Sequence, residues 1–128
     1  MNKPTSLDEW LYQDKDTASI AGMLKENHIP FIYQQAMILY GENQNYIAKP
    51  TFSLPTYGAV IEYVKEDEQL PISKYALQEL YRQNYKEALV LNSDDLQQPD
   101  WQDNLYERLA AIYQHQTDRF AYGREKVY

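Results

Sequence analysis

One carboxylate in this chain stands where chemistry could need it and packing does not: Glu62, inside the apolar run Ala59-Val-Ile-Glu-Tyr-Val64. An ionised group in a buried strand is costly unless it is paired or binds a cation. Glu62 is therefore the first candidate for a metal ligand. Its structural alternative is a pairing with Lys49, Lys65 or Lys74, or hydrogen bonds from Tyr hydroxyls. The other polar constellations are weaker. His28 and His115 lie far apart without acidic neighbours at ligand spacing, and read as a helix-end and a solvated histidine. Ser93-Asp94-Asp95 reads as a capped turn after a strand. There is no phosphate-cradling Gly loop, nucleophile elbow or HExxH pair. The absence of Cys excludes disulfides, thiolate zinc sites and cysteine nucleophiles.

The elements that must position Glu62 follow from periodicity. Residues near Leu7 to Tyr12 predict a short helical turn, with Leu7, Trp10 and Leu11 packing on the domain. Asp16 to Asn27 predicts a helix capped by Asp16 or Thr17, with Ile20, Met23 and Leu24 on its apolar face and Pro30 after its end. Phe31 to Tyr40 and Tyr46 to Leu54 read as two strands of a hairpin around the turn residues 41–45, with Pro50 marking an edge, a bend or a bulge. Pro55-Thr-Tyr-Gly58 turns the chain into the Glu62 strand, which is apolar on both faces and so belongs in the middle of a covered sheet. After a charged loop at 65–69, Ile72, Tyr75, Ala76, Leu80 and Tyr81 recur at helical spacing behind Ser73 as a cap. Ala88-Leu-Val-Leu91 is a buried strand, parallel to the Glu62 strand because a helix separates the two. Asp100 caps a last helix that turns Trp101, Leu105, Leu109, Ile112 and Tyr113 inward. The tail 117–128 has no such period and is expected to be partly mobile. The fold class is α/β: one domain over 1–128, with an extension at 1–15 and a core at about 16–113, in which helices flank a mixed central sheet.

The stretch Pro50 to Val64, with the order helix, three strands, helix, strand, helix, resembles the PD-(D/E)XK nuclease superfamily and its restriction-endonuclease-like core. In active relatives a Pro-Asp pair opens one strand, and an acid two residues before a Lys lies on the next. The two acids hold Mg²⁺, the Lys serves the attacking water, and many members add a Glu from the first helix. Carried across, the first acid falls on Thr51, the second on Glu62, the Lys on Val64 and the helix acid near Thr17. Only Glu62 matches, and a single carboxylate holds Mg²⁺ poorly. At about 3 kcal/mol for each missing electrostatic group, two losses cost roughly 10⁴-fold in rate. The resemblance therefore implies the scaffold with vestigial site positions Thr17, Thr51, Glu62 and Val64. It implies no catalytic residue and no cofactor. Val64 is expected to close a dry pocket in which a Lys would be costly.

Composition sets the partners. The chain has 128 residues, 12 Lys and Arg against 19 Asp and Glu, and a net charge of −7. That lowers the expectation of a phosphate-gripping surface, whose one local support is Arg119, Arg124 and Lys126. Thirteen Tyr residues fill core edges or offer a self-association surface for a homo-oligomer. No apolar run approaches the ~20 residues of a membrane span, and the polar start lacks a secretory h-region, so a cytoplasmic protein with no membrane partner is expected. The function read from these features is a catalytically degenerate nuclease-fold protein that binds nucleic acid or a protein partner. One alternative is an active Mg²⁺-dependent DNA endonuclease with migrated residues, drawn from Lys65, Glu66 or Asp67. Another is an acidic interaction or immunity-type protein.

Overall fold

A computed structural model of the chain describes residues 12–65, 70 and 72–127, with side chains in the last helix described as far as 115. The helical turn expected near Leu7 to Tyr12 lies outside the described residues apart from Tyr12.

The first helix, α1 (Lys15–Glu26), begins one step earlier than its apolar pattern suggests. Its cap is Asp14, in place of the expected Asp16 or Thr17. The Asp14 backbone is extended, and its carboxylate accepts the Thr17 N–H at 2.7 Å, leaving Thr17 inside the first turn. The helix stops where expected: Asn27 closes it, His28 takes a left-handed φ of 56°, and Pro30 follows. Its buried face is Thr17, Ile20, Ala21, Met23 and Leu24.

The two long strands expected between Phe31 and Leu54 are instead four short ones: β1 (Ile32–Tyr33), β2 (Met37–Tyr40), β3 (Asn45–Ala48) and β4 (Phe52–Leu54). The hairpin bends in the middle of both arms. On one arm Gln34 adopts φ 54° and gives its N–H to the Thr51 carbonyl at 3.0 Å. On the other, Pro50 has no N–H to give. The inner halves pair as Ile32↔Ser53 and Tyr33↔Phe52 within the main sheet. The outer halves form a separate two-stranded sheet, Met37↔Ala48 through Tyr40↔Asn45. Gly41 at its tip is obligatory, because a Cβ there would sit 2.7 Å from the Gln44 carbonyl oxygen and 3.0 Å from the Tyr46 ring.

A 3₁₀ turn, Pro55–Tyr57, and Gly58 in the left-handed region deliver the chain to β5 (Ala59–Val64). Helix α2 (Lys74–Gln83) is capped by Ser73, whose Oγ accepts the Ala76 N–H at 3.1 Å. It leads to β6 (Glu87–Asn92), parallel to β5 as expected, with Glu62 beside Val90 and Val64 beside Asn92. A short helix α3 (Ser93–Gln97) opens on a capping box between Asn92 and Asp95. The last helix, α4, runs from Trp101 to Val127, past the point where its apolar period ends.

The main sheet is mixed, with order β1–β4–β5–β6, so β5 lies in its interior. Strand alternation splits the core into two. On one face Phe52, Leu54, Ala59, Ile61, Leu89 and Leu91 pack against α1 and against Leu105 and Leu109 of α4. On the other, Val60 and Ala88 pack against Leu77 and Tyr81 of α2 and Leu39 of the outer hairpin. Trp101 and Ile112 pack at the margin of the first core. Tyr113, expected inward, is half-exposed and rests on Tyr57 at 5.4 Å between rings.

Candidate functional site

Glu62 falls on the α2 face of the sheet, on the same side as Val60 and Val64. Its partner is Tyr81, whose hydroxyl donates to Glu62 Oε1 at 3.0 Å. Of the pairings open to it in the sequence, the Tyr hydroxyl is the one that forms. Neither Lys49, Lys65 nor Lys74 pairs with it among the described residues. Tyr81 is fully buried on the inner face of α2, so the pair spans the interface between helix and sheet. Burial pushes the Glu62 carboxyl above its ordinary range, and the Tyr81 hydrogen bond, which favours the anion, offsets only part of this. Burial and the neighbouring carboxylate push the Tyr81 phenol far up, so it remains a donor at any working pH.

Thr51 lies beside this strand. Its Oγ1 accepts the Tyr63 N–H at 3.0 Å, so the hydroxyl is occupied in extending the β4–β5 ladder past Phe52↔Ile61. Thr51 and Glu62 are thus neighbours, and Val64 follows Glu62 on the same face. Thr17 is separated from them by the sheet. It is buried on α1, where its hydroxyl and N–H both bond the Asp14 carboxylate. The four positions that the resemblance singles out therefore divide into three on or beside β5 and one across the sheet. The reason is alternation along β5: Tyr63, between Glu62 and Val64, is the residue that faces α1.

Around Tyr63 the chain assembles a second polar group, made of residues outside the four positions just described. The Tyr63 hydroxyl donates to Asp16 Oδ2, and Lys65 Nζ lies 3.5 Å from Asp14 Oδ2. Burial raises the Asp14 carboxyl, but the Thr17 hydroxyl and N–H, with the Lys65 charge, outweigh it and leave the group below its ordinary range. The signal for this cluster was present in the sequence as Asp14 three residues before Thr17, a cap spacing masked by the equally acceptable Asp16.

Beyond Glu62, at the carboxyl ends of the parallel strands β5 and β6, the α2 face opens into a cleft of about 360 Å³. Val64 and Val90 form its apolar floor, and Lys65, Lys74, Asn92 and Asp94 are among its polar rim. Val64 is half-buried and lines this cleft, where a closed pocket is expected from the sequence. Open α/β sheets bind ligands at this end of their strands.

Could this site hold Mg²⁺? The ion needs several rigid oxygen ligands in octahedral array. Glu62 offers one carboxylate, already accepting from Tyr81, and Thr51 has its hydroxyl oxygen on a backbone N–H. No group of three or more His, Cys, Asp or Glu suited to a metal ion occurs among the described residues. Glu66 and Asp67, the acids that could have migrated, lie outside the described residues. Compared with models of known protein families, with curated proteins and with solved structures, the chain has no match. No described helix is long and apolar enough to cross a membrane.

The raised carboxyl of Glu62 has a testable consequence for stability. A group whose folded pKa lies above its unfolded value contributes stability that is complete below the unfolded pKa, 4.5, and is lost as pH rises through the folded value. Glu62→Gln keeps an acceptor for Tyr81 and removes the charge. The variant is expected to melt at or above the wild-type temperature at neutral pH, with the difference closing as pH falls toward 4.5. A variant less stable than wild type at neutral pH, measured by thermal unfolding across this range, would show that the charge itself is stabilising. Asp14 acts in the opposite sense and lower, its contribution fading as pH falls below its unfolded value, 3.8.

Proposed function

We propose that this chain is a restriction-endonuclease-like scaffold that has lost its metal chemistry and works as a protein-binding module. Its contact site is the cleft at the carboxyl ends of β5 and β6. The observation that carries the reading is the engagement of Glu62. The one carboxylate at a family position is bonded by a buried Tyr across a helix–sheet interface, with a Thr hydroxyl, not an acid, beside it. The order of elements and the parallel pairing of the last strand support the scaffold. Order of this kind is shared with other α/β sandwiches, so the Glu62 position and the preceding Pro50 carry the rest.

A protein partner is preferred over nucleic acid on charge. Phosphate neutralisation supplies most non-specific affinity for DNA or RNA. The cleft offers Lys65 and Lys74 against Asp94, and Lys65 already faces Asp14. The chain as a whole carries −7.

A nuclease with migrated groups is the second reading, and the cluster of Asp14, Asp16 and Lys65 on the α1 side is what favours it. One assay separates the two. Supercoiled and single-stranded DNA and RNA are incubated with Mg²⁺ or Mn²⁺ and with wild type, Glu62→Gln or Asp14→Asn. The proposed function expects no cleavage above background by any of the three, and no salt-sensitive binding to the same nucleic acids. Cleavage by wild type that Glu62→Gln abolishes would restore the family site. Cleavage lost only in Asp14→Asn would place a working site on the other face.

A further inference from the structure

We infer that the outer edge of β3 is a self-association surface, on which two copies of this chain pair antiparallel about a two-fold axis at Tyr46.

The backbone shows which groups are available. In an antiparallel ladder, residues alternate between pairs that exchange hydrogen bonds and pairs whose N–H and C=O point away. Gly41 N–H bonds the Gln44 carbonyl at 3.1 Å, so that pair is of the first kind and Tyr40↔Asn45 is of the second. The outer edge of β2 confirms the phase. There the Asn84 side-chain amide accepts the Tyr40 N–H at 2.9 Å and donates to the Tyr40 carbonyl at 3.1 Å, standing in for a neighbouring strand. On β2 the end of α2 thereby caps the outward backbone groups of Tyr40. By the same alternation, Asn45 and Ile47 direct their N–H and C=O away from β2, and no strand among the described residues pairs with them.

Apart from its shortness, this open edge carries no protecting feature within residues 45–48. Charged side chains, Pro and bulges keep edges from pairing. Residues 45–48 are Asn-Tyr-Ile-Ala, with Lys49 and Pro50 only at the end. Ile47 is 84% exposed and Ile38, directly across the hairpin, 56%.

Charge selects a second copy as the occupant. The strand is flanked by exposed Glu42 at the turn and exposed Lys49 at the far end. Antiparallel pairing that sets Asn45 against Ile47 of the second copy also brings Lys49 beside the turn carrying the other copy's Glu42, twice by symmetry. The chain carries −7 overall, so a self-contact needs such local pairing of opposite charges to offset the general repulsion between copies. The same register sets Tyr46 directly against Tyr46 of the second copy, and makes the two Ile47 side chains diagonal neighbours on the opposite face. With so short a strand the contact is weak and the dimer depends on concentration.

The test is sedimentation velocity of the full chain from micromolar to millimolar concentration. A concentration-dependent monomer–dimer equilibrium is expected. Ile47→Pro removes an N–H that the β2–β3 ladder does not use and should leave a folded monomer. Lys49→Glu, which sets acid beside acid at both ends, should weaken the dimer on the order of tenfold. Adding Glu42→Lys to Lys49→Glu reverses both partners and should restore it, a result that holds the inference independently of whether Ile47→Pro folds. A wild type that is monomeric throughout, or a dimer indifferent to Lys49→Glu, would overturn it.

Discussion

Tyr81→Ala is expected to lower the unfolding free energy by roughly 3–5 kcal/mol, the range for deleting a large buried aromatic. Tyr81 has no exposed surface and joins Val60 and Ala88 of the sheet to Leu39 of the outer hairpin and Leu77 of α2. Its removal empties the middle of the smaller core and strips Glu62 of its donor. The two effects are separable. Tyr81→Phe keeps the ring and loses the hydroxyl, leaving a half-buried carboxylate without a partner, which costs about 1–3 kcal/mol. Tyr81→Phe combined with Glu62→Leu removes both polar groups and should recover most of that smaller loss. Urea unfolding of the three variants measures this directly. If Tyr81→Phe costs as much as Tyr81→Ala, the hydroxyl contributes far more than packing, and the pair is the keystone of that interface.

A loss of similar size, roughly 3–5 kcal/mol, is expected from Phe52→Ala on the other face of the sheet. Phe52 is fully buried on β4, and three rings close on it: Phe31 edge-on at 5.3 Å, Tyr33 at 5.5 Å and Tyr12 at 6.2 Å. Edge-to-face contacts of this kind add to the area they bury. The side chain also sits just past the Pro50 bend, so it anchors the inner half of the hairpin to the sheet. Phe52→Leu, which retains much of the volume, should cost markedly less. Equal losses for the two substitutions in chemical denaturation would mean that ring geometry, more than filled space, holds this region.

How far could the residues alone reach? Glu62 was visible because a single carboxylate interrupts an apolar run, a local signal that needs no partner to be read. Its place on an interior strand followed from apolar character on both sides of that run, and the parallel pairing of β6 from the helix-length crossover before it. The Ser73 cap was equally local, since it is made within four residues. The cap of α1 was misplaced because Asp14 and Asp16 both satisfy the local rule. In the folded chain Asp14 takes the cap, and both carboxylates are also engaged from far along the sequence, Asp16 by Tyr63 on β5 and Asp14 by Lys65 just past its end.

The hairpin shows the same limit. Aromatic and β-branched residues from Phe31 to Tyr40 specify extended chain, and Pro50 specifies a break somewhere in its partner. That the break divides one hairpin into two sheets depends on Gln34 turning left-handed to reach the Thr51 carbonyl, a contact across the arms. Likewise Tyr81 carried an apolar-face signal in the sequence, but its hydroxyl gained meaning only once α2 lay over Glu62.

By itself, then, the sequence determined much of what short-range physics controls: the helical or extended character of the main segments, the Ser73 cap, the interior position of β5 and a Thr, not an acid, at position 51. The tertiary structure decided which face each side chain of β5 presents to which helix. That separated Glu62 and Val64 from Thr17, gave Glu62 a Tyr in place of a Lys, and left Val64 lining an open cleft. The physical reason is that alternation along a strand assigns sides only relative to one another, and the layers packed above and below settle what each side meets.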